Sequence, residues 1–195
     1  MSTNAHKRER GLTLIELVMF IMIVSIALVG VLSVLNITSK NSADPQVRKQ
    51  ALSIAEGLLE EVELAHFTYC DPTDASVDRA SGANLTATGC ASIVENAGQT
   101  GLEPVGSRPY DNVNDYVDAY GTAKTYTSDA NGTNLPTGYT ATVNVVPEAL
   151  NGIASSGTAA NVEVLRITVV VTNTYNNDTI TLDGYRTRYA PNYVP

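Results

Sequence analysis

The 195-residue sequence has no Trp, two His and two Cys, so it offers few of the side chains on which metal sites and nucleophilic catalysis depend. Basic residues are scarce, since 12 Lys and Arg stand against 20 Asp and Glu, for a formal net charge of −8. No basic run lies outside the first ten residues, whereas nucleic-acid backbones are bound chiefly by clustered Lys and Arg. The composition argues against a nucleic-acid partner, and the length fits one domain better than two.

The usual enzymatic motifs are also missing. The sequence has no Gly-x-Ser-x-Gly, no P-loop and no His-Glu-x-x-His pattern. One histidine, His6, lies among the first ten residues, and the other, His66, lies near the end of a helical pattern. We therefore expect no catalytic residue, no cofactor and no metal site.

One long apolar run dominates the N-terminal part of the chain. Between Leu17 and Leu35 no residue is charged, and a helix of this length spans roughly 28 Å, close to the thickness of a bilayer core. Lys7, Arg8 and Arg10 precede it, and the positive-inside rule retains such residues in the cytoplasm. No small-residue cleavage site follows the run, so we predict a single membrane span with the remainder exported.

A specific motif lies at the start of this run. From Arg10 to Leu17 the sequence reads Arg-Gly-Leu-Thr-Leu-Ile-Glu-Leu, which resembles the N-terminus of type IV prepilins and of the pseudopilins of type II secretion. The resemblance implies that a membrane-embedded prepilin peptidase cuts after Gly11 and methylates the new amino group of Leu12. Leu12 departs from the usual Phe of this family but keeps the hydrophobic character that the position needs.

Glu16 is the residue that physical chemistry singles out in this motif. A carboxylate near the edge of a membrane helix is costly unless it is neutralised or paired. In the simplest interpretation, the side chain reaches the lipid headgroups. The family resemblance instead implies that Glu16 pairs with the N-terminal amine of a neighbouring subunit during assembly, and we expect this role.

The helical pattern continues beyond the membrane run. Asp44 and Pro45 are typical of a helix start, and we expect a helix to restart there. The apolar residues that follow recur at three- and four-residue steps, which predicts one buried stripe. They are Val47, Ala51, Ile54, Ala55, Leu58, Val62 and Ala65. A helix that is membranous in its first half and amphipathic in its second is also an architectural mark of the pilin family.

The remainder of the chain is rich in turn formers and β-branched residues. We predict three antiparallel strands, at 139–146, 162–172 and 179–189, packed on the amphipathic helix. We therefore expect an α+β fold, and the family resemblance implies a type IV pilin-like arrangement, with a long N-terminal helix packed on a small antiparallel sheet. The expected organisation is a leader at 1–11, a transmembrane and assembly helix at 12–37, an amphipathic helix at 38–67, and a periplasmic or extracellular β-rich domain at 68–195.

Two further groups of residues carry predictions. Cys70 and Cys90 form an even pair beyond the membrane run, so we predict a disulfide, since a metal pair or redox switch lacks a nearby His or third Cys. The acidic and amide residues Asp111–Asp118 of the segment Tyr110–Asp118 could bind calcium, but their spacing fails the EF-hand pattern. We favour a turn with Asx caps, with its tyrosines and Val113 packed on the sheet.

Scattered motifs resemble one subgroup, the D-type minor pilins of mannose-sensitive haemagglutinin (MSHA) pili. These motifs are Ala43-Asp44-Pro45, the run from Gln50 to Glu61, Cys70-Asp71-Pro72, and the segment from Tyr110 to Asp118. The resemblance implies a minor pilin of the inner membrane that enters an extracellular pilus. Its partners are other major and minor pilins, prepilin peptidase and the inner-membrane assembly platform. The alternatives are a minor type II pseudopilin and a pilus-tip or membrane-tethered binding module.

Overall fold

We describe the protein from a computed structural model, which covers residues 13–82, 89–91, 94–98, 108–157 and 159–189. Side chains are described for these residues except those of 38–44 and 159. The chain divides into two units, Met1–Gln46 and Val47–Pro195, and each unit is considered by itself below.

One long α-helix, α1, extends from Leu14 to Leu64 and contains Pro45. The expectation that a new helix starts at Asp44 and Pro45 is therefore wrong, as is the expectation that it ends at residue 67. Proline lacks a backbone N–H donor and is best tolerated in the first turn of a helix. Here, however, α1 continues through Pro45.

In the second unit, the residues of α1 from Val47 onward are amphipathic. The buried positions Ala51, Ala55, Leu58 and Val62 recur at steps of four, three and four, as the predicted stripe requires. Two of these residues are alanines, Ala51 and Ala55, and both are buried. Burial of this stripe is what holds the segment on the sheet.

The sheet of the second unit has four antiparallel strands in the order β1-β2-β3-β4. They are β1 (Lys124–Tyr126), β2 (Tyr139–Pro147), β3 (Val164–Asn173) and β4 (Thr179–Thr187). Three of them match the predicted strands to within a few residues. Strand β1 was missed because three residues are too few to show an alternating pattern.

The core of the second unit lies between α1 and one face of the sheet. Alternate residues of the two central strands are fully buried, as the period of a strand requires. These are Ala141, Val143 and Val145 on β2 and Ile167, Val169 and Val171 on β3. Burial of each valine or isoleucine side chain among them contributes about 1.5–3 kcal/mol. The structure thus confirms the expected α+β fold, with a long apolar N-terminal helix and a small antiparallel sheet.

A loop crosses the core before β1. Its centre is a 3-10 helix, Val113–Tyr116, and the side chain of Asn112 caps it by accepting from the backbone N–H of Asn114. Val113, Tyr116 and Val117 are fully buried. This loop therefore fills one end of the space between helix and sheet.

Candidate functional site

The described part of the N-terminal motif begins at Thr13. The carbonyl of Thr13 accepts hydrogen bonds from the backbone N–H groups of Glu16 at 3.0 Å and Leu17 at 3.1 Å, so the helix starts immediately after it. Glu16 lies in the first helical turn, where a carboxylate suits the positive end of the helix dipole. Gly11 and Leu12, the residues expected at the cleavage and methylation site, lie outside the described residues.

The first unit presents an apolar surface along its helix. Among the described residues, one helical segment is long and apolar enough to cross a membrane, Leu14–Ile37, with 24 residues. Its large apolar side chains are exposed within the unit, and Ser25 satisfies its hydroxyl by donating to the carbonyl of Ile21 at 2.7 Å. Such a surface is stable in contact with lipid or with other apolar helices.

In the second unit, Cys70 and Cys90 are joined by a disulfide bond. Both residues are buried, and they pack with Tyr69 and Ala80 in a small cluster separate from the main core. Asp74 braces the same region, since its Oδ1 accepts from the backbone N–H groups of Ser76 at 2.7 Å and Ala91 at 2.9 Å. The disulfide therefore restrains the loop between Cys70 and Cys90, which has few apolar residues of its own.

Arg188 attaches the end of the sheet to this disulfide region. Its guanidinium lies between the rings of Phe67, at 4.0 Å, and Tyr69, at 4.1 Å. It donates to the carbonyls of Val162, at 2.9 Å, and Thr68. Burial lowers the pKa of Arg188, although nearby Tyr69 and Glu163 favour its charged form. Arg188 is thus a structural cation rather than a surface charge.

A groove of about 820 Å³ lies beside α1 in the second unit. It is lined by exposed residues of the helix, such as Ser53, Gly57 and Glu60, and by the loop between β1 and β2, with Leu135 and Pro136. We call this surface the helix groove. Its walls are mostly apolar, which is typical of sites that bind other protein segments or hydrophobic groups.

A buried ion pair forms one end of the helix groove. The Nε of Arg108 donates to Oε1 of Glu61 at 2.8 Å, and Nη2 donates to Oε2, a two-point contact between side chains only 9% and 10% exposed. Tyr116 donates its hydroxyl to Glu61 Oε1 at 3.0 Å. Burial opposes the charge of Arg108, but the Glu61 carboxylate outweighs it, so the pKa of Arg108 is raised.

The acidic segment Asp111–Asp118 is a capped turn, as favoured from the sequence. Besides the Asn112 cap, Tyr120 donates its hydroxyl to Asn114 Oδ1 at 2.7 Å, and Asn114 and Asp115 are buried. Within the described ranges, no group of three or more His, Cys, Asp or Glu side chains is placed to hold a metal ion. Val113 and Tyr116 are part of the core, and the partly buried Tyr110 packs against it.

His66 takes part in the structure through its backbone. Its N–H donates to the carbonyl of Asp111 at 2.8 Å, and its carbonyl accepts from the N–H of Val113 at 2.9 Å. These two bonds fasten the capped turn to the chain leaving α1. The backbone of His66 therefore holds the capped turn against the residues that follow α1.

Sequence reasoning missed Glu61, Arg108 and Arg188. Glu61 and Arg108 are 47 residues apart, and the partners of Arg188 lie 26 and 120 residues away. No local pattern marks such pairs. The one available signal was the rarity of basic residues, which makes each Arg that follows the apolar helix a candidate for a specific partner.

Comparison with known families gives one match, to the prokaryotic N-terminal methylation motif over residues 6–32. The match spans the Arg10–Leu17 motif and most of the apolar helix. No curated protein and no solved structure matches the chain. With the α+β fold and the exposed apolar helix, the methylation motif supports a prepilin of the type IV pilin-like family, which includes pilins and pseudopilins.

Proposed function

We propose that the protein is a minor type IV pilin, a structural subunit that resembles those of MSHA pili. In this proposal, residues 1–11 are a leader that prepilin peptidase removes after Gly11, and Leu12 becomes the N-methylated first residue. Residues 12–37 hold the subunit in the inner membrane and later pack in the filament. Residues 38–64 continue the helix, and residues 68–195 belong to the exported domain.

The methylation motif at residues 6–32 is the observation that carries this proposal. The exposed apolar surface of Leu14–Ile37 supports it, because a processed subunit leaving the membrane must exchange lipid for another apolar partner. Packing against the same helix of neighbouring subunits provides that partner. The protein then works by lateral association rather than by catalysis.

In this proposal, Glu16 pairs with the N-terminal amine of a neighbouring subunit during assembly. Cleavage after Gly11 would create a positive amine at Leu12, four residues before Glu16. Bringing a neighbour's amine beside the Glu16 carboxylate neutralises two charges in an apolar environment, where an unpaired charge is costly. Replacing Glu16 with Leu should leave cleavage and methylation intact but reduce entry into fibres by at least about tenfold, the effect of some 1.4 kcal/mol.

Mass spectrometry of the N-terminal peptide tests the proposal directly. Membrane fractions and sheared surface fibres from the producing cells supply the two samples. We expect a peptide that begins with N-methylated Leu12 in both. An intact N-terminus from Met1, confined to membranes, would overturn processing and assembly together and leave a tethered exported domain.

The same motif also fits a minor pseudopilin of a type II secretion system. The two roles share the processed N-terminus and differ in the assembly that the subunit joins. Deleting the gene separates them: loss of a surface pilus with normal protein secretion supports the pilin, and failed secretion with normal pili supports the pseudopilin. The scattered MSHA-like motifs, such as Asp44-Pro45 and Cys70-Asp71-Pro72, favour the pilin.

A further inference from the structure

One end of the sheet in the second unit carries an exposed aromatic side chain. Tyr175 lies between β3 and β4, in residues 174–178, which we call the Tyr175 hairpin, and it is 75% exposed. Its ring lies against Gly138, since a Cβ atom added to that glycine would collide with the ring. The backbone N–H of Thr174 donates to the Gly138 carbonyl at 2.8 Å. The hairpin therefore holds the tyrosine in place with most of its surface open.

The same end of the sheet lies beside the first residue of the second unit. Tyr139, at the start of β2, donates its hydroxyl to the Val47 carbonyl at 3.1 Å. Tyr139 is paired with Asn173 of β3, which lies two residues before Tyr175. The exposed tyrosine is therefore at the end of the sheet that contacts the start of the second unit.

Only a short segment connects this end of the second unit with the apolar helix. The apolar segment ends at Ile37, and the second unit begins at Val47, ten residues later. Ten residues rise about 15 Å in a helix and cover at most about 36 Å in any conformation. The headgroup layer adds roughly 5–7 Å on each side of a bilayer core. If residues 14–37 span a membrane, the Tyr175 hairpin is therefore within reach of its surface.

Basic residues are concentrated in the connecting segment and in the helical turn that follows it. Residues 38–49 carry three bases and one acid, which are Lys40, Arg48, Lys49 and Asp44. Arg48 and Lys49 are exposed and follow Val47 directly, so they lie at the same end of the second unit as the hairpin. The hairpin adds one acid, Asp178, so the bases remain in excess. Bases near a membrane are attracted to anionic headgroups, and tyrosine is enriched at the membrane–water interface.

We propose that the Tyr175 hairpin rests on the headgroups of the membrane that contains residues 14–37, with Arg48 and Lys49 on anionic lipid beside it. The inference rests on the proposed function, because it requires residues 14–37 to span a membrane. The short connection keeps the hairpin near that surface, so even a weak contact is populated, as at any tethered binding site. The contact holds the second unit against the bilayer while the subunit is in the membrane.

The absence of Trp from the sequence provides a direct test. The variant Tyr175→Trp has a single indole, in the hairpin, and its full chain is reconstituted in vesicles of phosphatidylcholine and phosphatidylglycerol. Phosphatidylcholine brominated near the headgroup end of its chains quenches an indole that contacts the lipid. We expect Tyr175→Trp to lose at least about half of its emission when this lipid is included. Emission that the brominated lipid does not change would overturn the inference.

Tyr189→Trp is the matched control. Tyr189 is also 75% exposed, but it follows β4, whereas Tyr175 precedes that strand. The nine residues of β4 separate the two ends of the sheet by roughly 30 Å. Tyr189→Trp should therefore lose less than about a tenth of its emission in the same vesicles. Equal quenching of the two variants would overturn the inference, because it would show no preferred contact at the hairpin.

A second position in the hairpin guards against a local effect of the substitution. Asn176 is exposed next to Tyr175, and Asn176→Trp should be quenched to a similar extent. Near-UV circular dichroism of each variant in the same vesicles verifies that the second unit is folded. If both hairpin variants are folded and neither is quenched more than Tyr189→Trp, the hairpin does not contact the membrane.

The basic residues provide a separate readout. Arg48→Gln with Lys49→Gln, in the Tyr175→Trp chain, should reduce the fraction of hairpins in contact with lipid at least about threefold in vesicles that contain phosphatidylglycerol. Arg79→Gln is the control, since Arg79 is an exposed base of the loop that the disulfide closes, and it should leave the quenching unchanged. Quenching that is the same with and without phosphatidylglycerol would overturn the role of Arg48 and Lys49.

The vesicle experiment requires neither cleavage nor fibres, so its result can be separated from the proposed function. If fibres contain chains with N-methylated Leu12 but the hairpin variants are not quenched in vesicles, the inference is wrong and the proposed function stands. If all chains keep Met1 and stay in the membrane, the proposed function fails. Quenching of Tyr175→Trp would then still support the contact between hairpin and membrane.

Discussion

Replacing Glu61 with Gln should strongly destabilise the second unit. The change keeps the size of the side chain but removes the charge that neutralises Arg108. The guanidinium then remains buried against the Tyr126 ring, at 4.6 Å, with a hydrogen bond of 2.6 Å to the Ser128 carbonyl and no carboxylate. Removing one partner of a buried ion pair typically costs about 3–5 kcal/mol.

The expected loss is at the lower end of this range, about 3 kcal/mol, because the glutamine can still accept from the Tyr116 hydroxyl. For a unit of this size, that loss lowers the melting temperature by roughly 6–12 °C. All ten tyrosines follow residue 68 and the chain has no Trp, so near-UV circular dichroism reports on the second unit. The measurement is denaturant and thermal unfolding of the full chain in detergent.

Glu60→Gln is the matched control, since it removes an exposed carboxylate from the neighbouring position of the same helix. Its free energy of unfolding should change by less than about 0.5 kcal/mol. The double variant Glu61→Met with Arg108→Met should recover at least half of the loss, because it removes both buried charges. A loss below about 1 kcal/mol for Glu61→Gln would refute the reasoning that this pair is energetically coupled.

Three further predictions follow from the second unit. Cys70→Ser with Cys90→Ser should lower the free energy of unfolding by about 3 kcal/mol for a loop of this length, and a reducing agent added to the wild type should give the same shift in denaturant midpoint. Arg188→Lys should lose about 2 kcal/mol in the same assay, because an ammonium cannot stack between Phe67 and Tyr69 while reaching both carbonyls; a change below about 0.5 kcal/mol would contradict this role. Burial raises the pKa values of Tyr116, Tyr120 and Tyr126, so the folded state holds their protons when the unfolded chain, with a tyrosine pKa near 10, has lost them. The contribution of these three groups to stability should therefore be fully present below about pH 10 and be lost above it, by up to roughly 4 kcal/mol per pH unit, and the final part of the rise in tyrosinate absorbance should coincide with the loss of near-UV signal.

Much of the architecture could be predicted from local patterns. The apolar run predicted the helix of the first unit, and the three- and four-residue steps from Ala51 to Val62 predicted the buried stripe. Alternation of β-branched residues predicted three of the four strands. These patterns could be recognised because apolar residues recur within a single helix or strand, at the residue period of that element.

Signals that depend on one or two residues were less reliable. Asp44 and Pro45 carry a normal helix-start pattern, yet the helix continues through them, because capping preference is a small energy compared with that of a long hydrogen-bonded helix. Strand β1 is fixed by its pairing with β2, for example Thr125 with Thr142, and not by its own three residues. Its position could not be found without knowing its partner.

The sequence alone determined that the chain begins with a basic segment, a methylation motif and an apolar helix, because these features are local and contiguous. Only the tertiary structure decided that Glu61 meets Arg108, that Arg188 lies between two rings, and that Gly57 borders an open groove. Those contacts join residues that are distant in the chain. Their energies come from burial and charge, which depend on what surrounds a residue in space rather than on its neighbours in sequence.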